Sequence, residues 1–318
     1  MTAPLRRIGS SDLRITPLVL GGNVFGWTAD KAASFAVLDA FVAGGGVMID
    51  TADVYSAWVP GHKGGESETV IGEWLRQSGK RDQVLIATKV GMLPGEGGEK
   101  LAPARITAAC DASLRRLGTD RIDVYFAHQD DDATEQEEYL TAFGQLVEAG
   151  KVRVVGASNF SAARLRSALD LSRTALGLPR IEILQPEYNL VSRGKFEGEL
   201  QELCVAQGIA VVPYYGLASG FLTGKYRSEA DLGKSVRGGR MTELLSGNGT
   251  AALAAMDEIA ADTGATLAQI ALAWLIAQPG VTAPIASATS AQQLEELLPA
   301  MTLELSKDQL ARLTKAEV

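Results

Sequence analysis

The chain has 318 residues, 46% of them hydrophobic and 21% charged, which is the balance of a folded protein rather than a disordered or collagen-like one. A net charge of −8 argues against a nucleic-acid partner, which would require a basic face. No run of 18 apolar residues suggests a membrane span, and the polar start "MTAPLRRIGSSDLRITP" lacks an apolar signal core, so a cytoplasmic protein is expected.

The segment "LRRIGSSDLRIT" (Leu5 to Thr16) reads as a hairpin turning at "GSSD", placed to plug one mouth of whatever follows. Next comes an apolar strand, Leu18 to Asn23, and then a helix capped by Asp30 that ends in glycines. The strand Val47 to Ala52 precedes a helix "SETVIGEWLRQSGK" with Val70, Ile71, Trp74 and Leu75 on one stripe. The strand Val84 to Val90 precedes a helix that opens at Pro103 and stops at Gly118. Strands at Ile122 to His128, Val154 to Asn159 and Ile181 to Gln185 alternate with helices at Thr134 to Ala149, Ser161 to Leu176 and Lys195 to Gln207. After the strand Ile209 to Tyr215 lies a long polar, glycine-rich stretch, "RSEADLGKSVRGGRMTELLSGNG", expected to be a loop with a binding or lid role. A helix at Thr266 to Gln278 and a strand at Val281 to Ser287 close the series.

Most of these strands are continuously apolar, as parallel strands covered on both faces are. Eight of them alternating with helices predict a (β/α)8 TIM barrel with an N-terminal β-hairpin and extra C-terminal helices, one domain over residues 1–318. Cys110 and Cys204, the two cysteines, fall in helical patterns and read as buried thiols of a reducing compartment. No Cys-x-x-Cys occurs, and no metal site is expected. Nothing in the sequence sets an oligomeric state.

Barrel active sites lie at the carboxyl ends of the strands. Asp50 ends the second predicted strand, Lys89 the third and His128 the fourth. Ser158 and Asn159 end the fifth, Gln185 the sixth, and Tyr214 and Tyr215 the seventh. Singly, Asp50 reads as a turn cap, Lys89 as a snorkelling lysine and His128 as a satisfied histidine. Together they place three ionisable groups around one cavity, a costly arrangement unless the charges are paired.

Seven stretches, "MIDTADVYS", "ESETVIGEWL", "IATKV", "IDVYFAH", "GKVRVVGASNF", "LQPEYN" and "YYGLASGFLTGKY", together resemble the aldo-keto reductase family, in order from about Leu5 to Leu298. The resemblance implies a (β/α)8 barrel that reduces a carbonyl with a nicotinamide cofactor and no metal. It implies a catalytic tetrad of Asp50, Tyr55, Lys89 and His128. In that reading Tyr55 is the general acid, and a lysine cation beside a phenol of ordinary pKa near 10 lowers that pKa. Asp50 would hold Lys89, and His128, neutral, would orient the substrate oxygen. On the cofactor side the resemblance implies Ser158, Asn159 and Gln185 at the nicotinamide carboxamide and Tyr214 stacked on the ring. Gly216, Leu217, Gly220, Leu222 and Lys225, within the segment Gly216 to Tyr226, would wrap the pyrophosphate, with Gly216 standing where many relatives carry proline. Ser287, Thr289 and Gln293 would meet the adenosine end.

NADPH is the implied cofactor. The segment "APIASATSAQQLEEL" brings no basic residue for a 2′-phosphate, however, leaving NADH open and turning attention to Arg227, Lys234, Arg237 and Arg240. Trp27, Trp58 and Tyr215 are the expected lining of the substrate pocket, and His62 reads as a surface histidine. The expected substrate is a small carbonyl or alcohol. Some family members are regulatory β subunits of potassium channels; the acidic composition and the absence of a basic N-terminal extension favour the enzyme. An unrelated metal-dependent isomerase would need several ligands on the rim, where His128 is the one histidine placed.

Overall fold

A computed structural model describes residues 3–175, 177–234, 238–247 and 249–316. Two short strands, β1 (Arg6–Arg7) and β2 (Arg14–Ile15), pair antiparallel as the expected hairpin. Eight further strands follow: β3 (Val19–Gly21), β4 (Met48–Asp50), β5 (Leu85–Val90), β6 (Ile122–Ala127), β7 (Val152–Ser158), β8 (Ile181–Gln185), β9 (Ala210–Val211) and β10 (Ile285–Ala286). They form one parallel sheet in the order β10-β3-β4-β5-β6-β7-β8-β9. The sheet closes on itself through a Val211–Val281 bridge and hydrogen bonds from Thr282 N to Val211 O (2.7 Å) and Ile285 N to Pro213 O (2.9 Å). This is a (β/α)8 barrel.

Strands β9 and β10 are shorter than their apolar runs predict. Pro213 and Pro284 lie inside those runs, and proline cannot donate to a ladder. The helix expected from Lys195 begins only at Glu199, because Gly198 (φ 88°, ψ −134°) breaks it. The long stretch after β9 is not structureless. It holds the short helical turns Glu229–Lys234, Gly238–Met241 and Thr242–Ser246, and then the helix Gly249–Thr263. Arg237 and the predicted helix end at Leu176 fall outside the described residues.

The other helices follow their local signals. Asp30 accepts from Ala33 N at 2.8 Å and caps Lys31–Ala43. Pro103 opens Pro103–Leu117, which ends in left-handed Gly118. Cys110 and Cys204 are free and buried, and burial pushes both thiols up to about 12, which disfavours the nucleophilic thiolate at each. No single helix among the described residues is long and apolar enough to cross a membrane.

The core has two main layers, separated by side-chain parity along each strand. Val19, Met48, Ala87, Val124, Phe126, Val154, Ile183, Val212 and Ile285 fill the barrel interior, and Ile8, Leu13 and Ile15 of the hairpin join them as a plug. Their neighbours Leu20, Ile49, Ile86, Tyr125, Val155 and Leu184 face outward under the helices.

Candidate active site

That parity decides where the polar strand ends point. Met48, Ala87, Phe126, Ile183 and Val212 face the interior, so Asp50, Lys89, His128, Gln185 and Tyr214, each two residues on, face it too. Val154 likewise aims Ser158, and Ile285 aims Ser287. One alternation, repeated on adjacent strands, therefore gathers the polar residues at the carboxyl mouth of the barrel.

At the centre is Lys89, fully buried. Its ammonium donates to Asp50 Oδ2 (2.7 Å), to the Thr51 carbonyl (2.8 Å) and to the Tyr55 hydroxyl (3.1 Å). A buried ammonium needs such a full set of partners. Asp50 Oδ1 accepts from Gln185 Nε2 at 2.9 Å. Tyr55 comes from the loop after β4 and lies edge-on to His128, ring centroids 6.0 Å apart.

The charges follow from this packing. Burial costs Lys89 its proton, but Asp50 and Tyr55 outweigh that cost and hold its pKa above the ordinary lysine value. Burial raises the Tyr55 phenol and Lys89 pulls it down, and burial prevails. The expected lowering by Lys89 is therefore present but is not the net direction: the phenol stays neutral at neutral pH. Burial, with Lys89 beside it, drives His128 well below 6.5, so its ring is neutral, and its buried Nδ1 has no hydrogen-bond partner among the described residues.

Behind the tetrad lies a second buried network that the sequence reading passed over. Asp53, between Asp50 and Tyr55 in the chain, meets Arg105 Nη2 at 3.3 Å. Glu68 accepts from Thr88 Oγ1 and from Arg116 Nε, both at 2.6 Å. Burial first, then Glu68, raises Asp53 to about 7, against the lowering pull of Arg105 and Arg116. A carboxyl held above its unfolded value, about 3.9, stabilises the fold fully below that value and loses the contribution as pH rises through about 7. Asp53→Asn should therefore flatten the fall of melting temperature between about pH 4 and pH 7; an unchanged slope would assign that pH dependence elsewhere.

A continuous aromatic row leads outward. Trp58 meets Tyr55 edge-on at 5.7 Å, and Trp27 meets Trp58 at 5.5 Å. Tyr215 also stands at the mouth, 4.9 Å from Tyr214, and both Trp58 and Tyr215 are exposed. His62 is not a plain surface residue. Its Nδ1 is buried 4.0 Å from Glu66 Oε2.

The residues expected at a nicotinamide cofactor form one chain of contacts. Ser158 Oγ donates to the Gln185 carbonyl (2.8 Å), Asn159 Nδ2 donates to the His128 carbonyl (3.0 Å), and the Tyr214 hydroxyl donates to Asn159 Oδ1 (2.8 Å). Backbone strain concentrates here. Of the described non-glycine residues with positive φ, Asn159, Tyr215, Ala218 and Ser219 all lie along this rim, and Lys100 alone lies elsewhere. The turn Ala218–Thr223 includes Gly220 at φ 97°, with the Lys225 ammonium folded over it, 3.1 Å from where a β-carbon would sit. A glycine turn under a cation is suited to an anionic phosphate, so these residues fit the cofactor.

Other expected contacts are engaged differently. Leu222 is fully buried and its N–H donates to the Leu217 carbonyl (3.2 Å), while Gly216 and Leu217 lie where the turn begins. Arg227 is held by both oxygens of Asp257 (2.7 and 2.8 Å), and Lys234 pairs with Asp231 (2.7 Å). Ser287 donates to Asn23 Oδ1 (2.6 Å), and Thr289 donates to Gln293 (2.9 Å).

A parallel barrel that holds a buried Lys–Asp pair against a phenol at its carboxyl mouth can stabilise a phenolate there, and so can move a proton to or from an oxygen. The comparisons agree. The Aldo/keto reductase family model matches residues 17–318. The chain is 32% identical to Protein tas of Escherichia coli (strain K12), covering 96% of this chain and 95% of that protein. It is 32% identical to L-glyceraldehyde 3-phosphate reductase of the same organism (97% and 90%). It is 30% identical to a probable voltage-gated potassium channel subunit beta of Arabidopsis thaliana (93% and 90%). The chain belongs to the aldo/keto reductase family and is an NAD(P)-dependent oxidoreductase.

Proposed function

We propose that this chain, acting as one barrel domain in the cytoplasm, reduces a small aldehyde or ketone to its alcohol with NADPH. The observation that carries the reading is the Tyr55 hydroxyl, 3.1 Å from the fully buried ammonium that Asp50 holds. The nicotinamide, when bound, supplies the hydride. Tyr55 gives its proton to the carbonyl oxygen, and Lys89 stabilises the phenolate left behind. Asp50 keeps Lys89 charged and in place, while Gln185 steadies Asp50 from the far side. Neutral His128 offers a ring N–H to the same carbonyl oxygen. Run backwards, the same groups take the proton from an alcohol. Ser158, Asn159, Gln185 and Tyr214 would hold the nicotinamide end, the 216–224 turn and Lys225 the pyrophosphate, and Ser287, Thr289 and Gln293 the adenosine end.

Fluorescence titration with NADPH and NADH, followed by turnover on a panel of small aldehydes, tests this reading; binding of neither cofactor would refute it. Since Arg227 and Lys234 already have acidic partners, a weak preference between the two cofactors is expected. The aromatic row Trp27–Trp58–Tyr55 supports apolar, planar carbonyls as good substrates. Trp58→Ala should raise KM for aryl aldehydes about tenfold with little change in kcat, the loss expected of uniform binding. An equal effect on a short aliphatic aldehyde would remove Trp58 from the pocket. The plant relatives named as channel subunits motivate a second reading, a nucleotide-binding regulator with little turnover.

A further inference from the structure

We infer that Glu66 is a positioning residue for Tyr55. The inference rests on the reading of Tyr55 as the proton donor. Tyr55 is carried on a loop, and a loop side chain does not hold a hydroxyl within 3.1 Å of a buried ammonium unless its own backbone is fixed. Among the described residues, the hydrogen bonds to the peptide unit that follows Tyr55 come from the helix Glu66–Ser78 and the residue before it. The Tyr55 carbonyl accepts from Gly65 N (2.9 Å) and Ser67 N (3.4 Å). The N–H on the other side of that peptide, Ser56 N, donates to Glu66 Oε2 at 3.2 Å. Residues 65, 66 and 67 thus grip both polar groups of one peptide.

The Glu66 carboxylate reaches further. Oε2 also accepts from Gly64 N (3.0 Å), and Oε1 accepts from Lys63 N (2.8 Å). One side chain therefore ties the start of the excursion, at Ser56, to its return, at Lys63 and Gly64. A carboxylate suits the task because it offers acceptors only, and here it meets three backbone donors of the loop, with His62 Nδ1 4.0 Å from Oε2. Burial alone would raise the Glu66 pKa, but the backbone N–H groups of Lys63, Glu66 itself and Ser56, with His62 nearby, together hold it below the ordinary carboxylate value.

The neighbouring residues leave little slack. Gly64 (φ 92°) and Gly65 (φ 84°) turn the chain into the helix in a conformation that disfavours side chains. A β-carbon on Gly64 would lie 2.7 Å from the Asp53 carbonyl, and one on Gly65 would lie 2.3 Å from Arg116 Nε. Next along, Ser67 Oγ donates to the Gly22 carbonyl (2.7 Å) and accepts from Thr51 Oγ1 (2.8 Å), anchoring the helix start to the residue after β3 and to the residue after Asp50. The carboxylate is thus fixed relative to the strands that carry Asp50 and Lys89, and it passes that registration to the Tyr55 peptide.

Two measurements on the full-length protein test the assignment. The first does not depend on turnover: hydrogen exchange of the amides of Ser56, Lys63 and Gly64 in the wild type and in Glu66→Ala and Glu66→Gln. Protection should fall at those amides in Glu66→Ala, partly return in Glu66→Gln, which keeps one acceptor oxygen, and stay unchanged in the outer helices. The second is steady-state kinetics. Glu66→Ala should lower kcat by about tenfold to a hundredfold, the scale of a misplaced catalytic group, with cofactor affinity and KM within about twofold of wild type. Glu66→Gln should recover part of that loss. Unchanged exchange at the three amides would overturn the clamp, as would wild-type kcat with exchange increased, or a loss confined to KM. A wild type that binds cofactor but turns over no carbonyl would instead refute Tyr55 as donor, and the exchange experiment would still decide whether Glu66 holds the loop.

Discussion

Replacing Tyr55 with phenylalanine should lower kcat for carbonyl reduction by about 10²–10⁴-fold, the range in which a positioned proton donor acts. The substitution removes one oxygen and leaves the ring, so its edge contacts with Trp58 and His128 survive. Cofactor affinity should be unchanged, because the polar contacts at the rim run through Ser158, Asn159, Gln185 and Tyr214. Stability should change by little more than the value of one hydrogen bond, about 1 kcal/mol. Steady-state kinetics, with a cofactor titration on the same protein, separates these effects. A variant within threefold of wild-type kcat would remove Tyr55 from the proton-donor role.

The second large effect is expected at Lys89, where catalysis and stability are joined. Lys89→Met fills most of the volume but leaves Asp50 buried with no cation and with Gln185 as its remaining side-chain partner. Breaking a buried pair by removing one member costs about 3–5 kcal/mol, chiefly from the charge left behind. Thermal or denaturant unfolding should register a loss of that size. The double variant Lys89→Met/Asp50→Asn should recover much of the stability, since it removes the orphaned charge too. It should recover none of the activity, because the phenolate formed at Tyr55 would still lack its cation. Activity returning with stability would mean that Lys89 acts only as a structural residue.

Asp50, Lys89 and His128 were legible as one cluster because they sit at strand ends, and strand parity aims such positions into the mouth of a barrel; Tyr55, on the loop after β4, came from the resemblance alone. The same alternation that made Met48 and Ala87 core residues made Asp50 and Lys89 site residues. Strand extent was less legible at β9 and β10, where the apolar runs continue through Pro213 and Pro284 although the ladder does not. The direction of the Tyr55 pKa was also missed. A sequence names the lysine beside the phenol, but the depth of burial that outweighs it appears only once the loop is folded. Asp53, Glu66, Ser67 and Glu68 were overlooked because their partners lie on other elements: Arg105, Ser56, Gly22, Thr88 and Arg116. Their one local signal was an unusual density of acidic and hydroxyl residues in "DTADVYS" and "ESE", a pattern that equally describes solvated loops and helix starts.

Whether the Lys89–Tyr55 contact performs chemistry is settled most directly by product stoichiometry. The purified protein would be mixed with NADPH and an aryl aldehyde, and cofactor oxidation and alcohol formation would be followed together. One alcohol formed per cofactor oxidised, at a rate that collapses in Tyr55→Phe, is the predicted result. Tight NADPH binding with no alcohol formed from any aldehyde of the panel would contradict it.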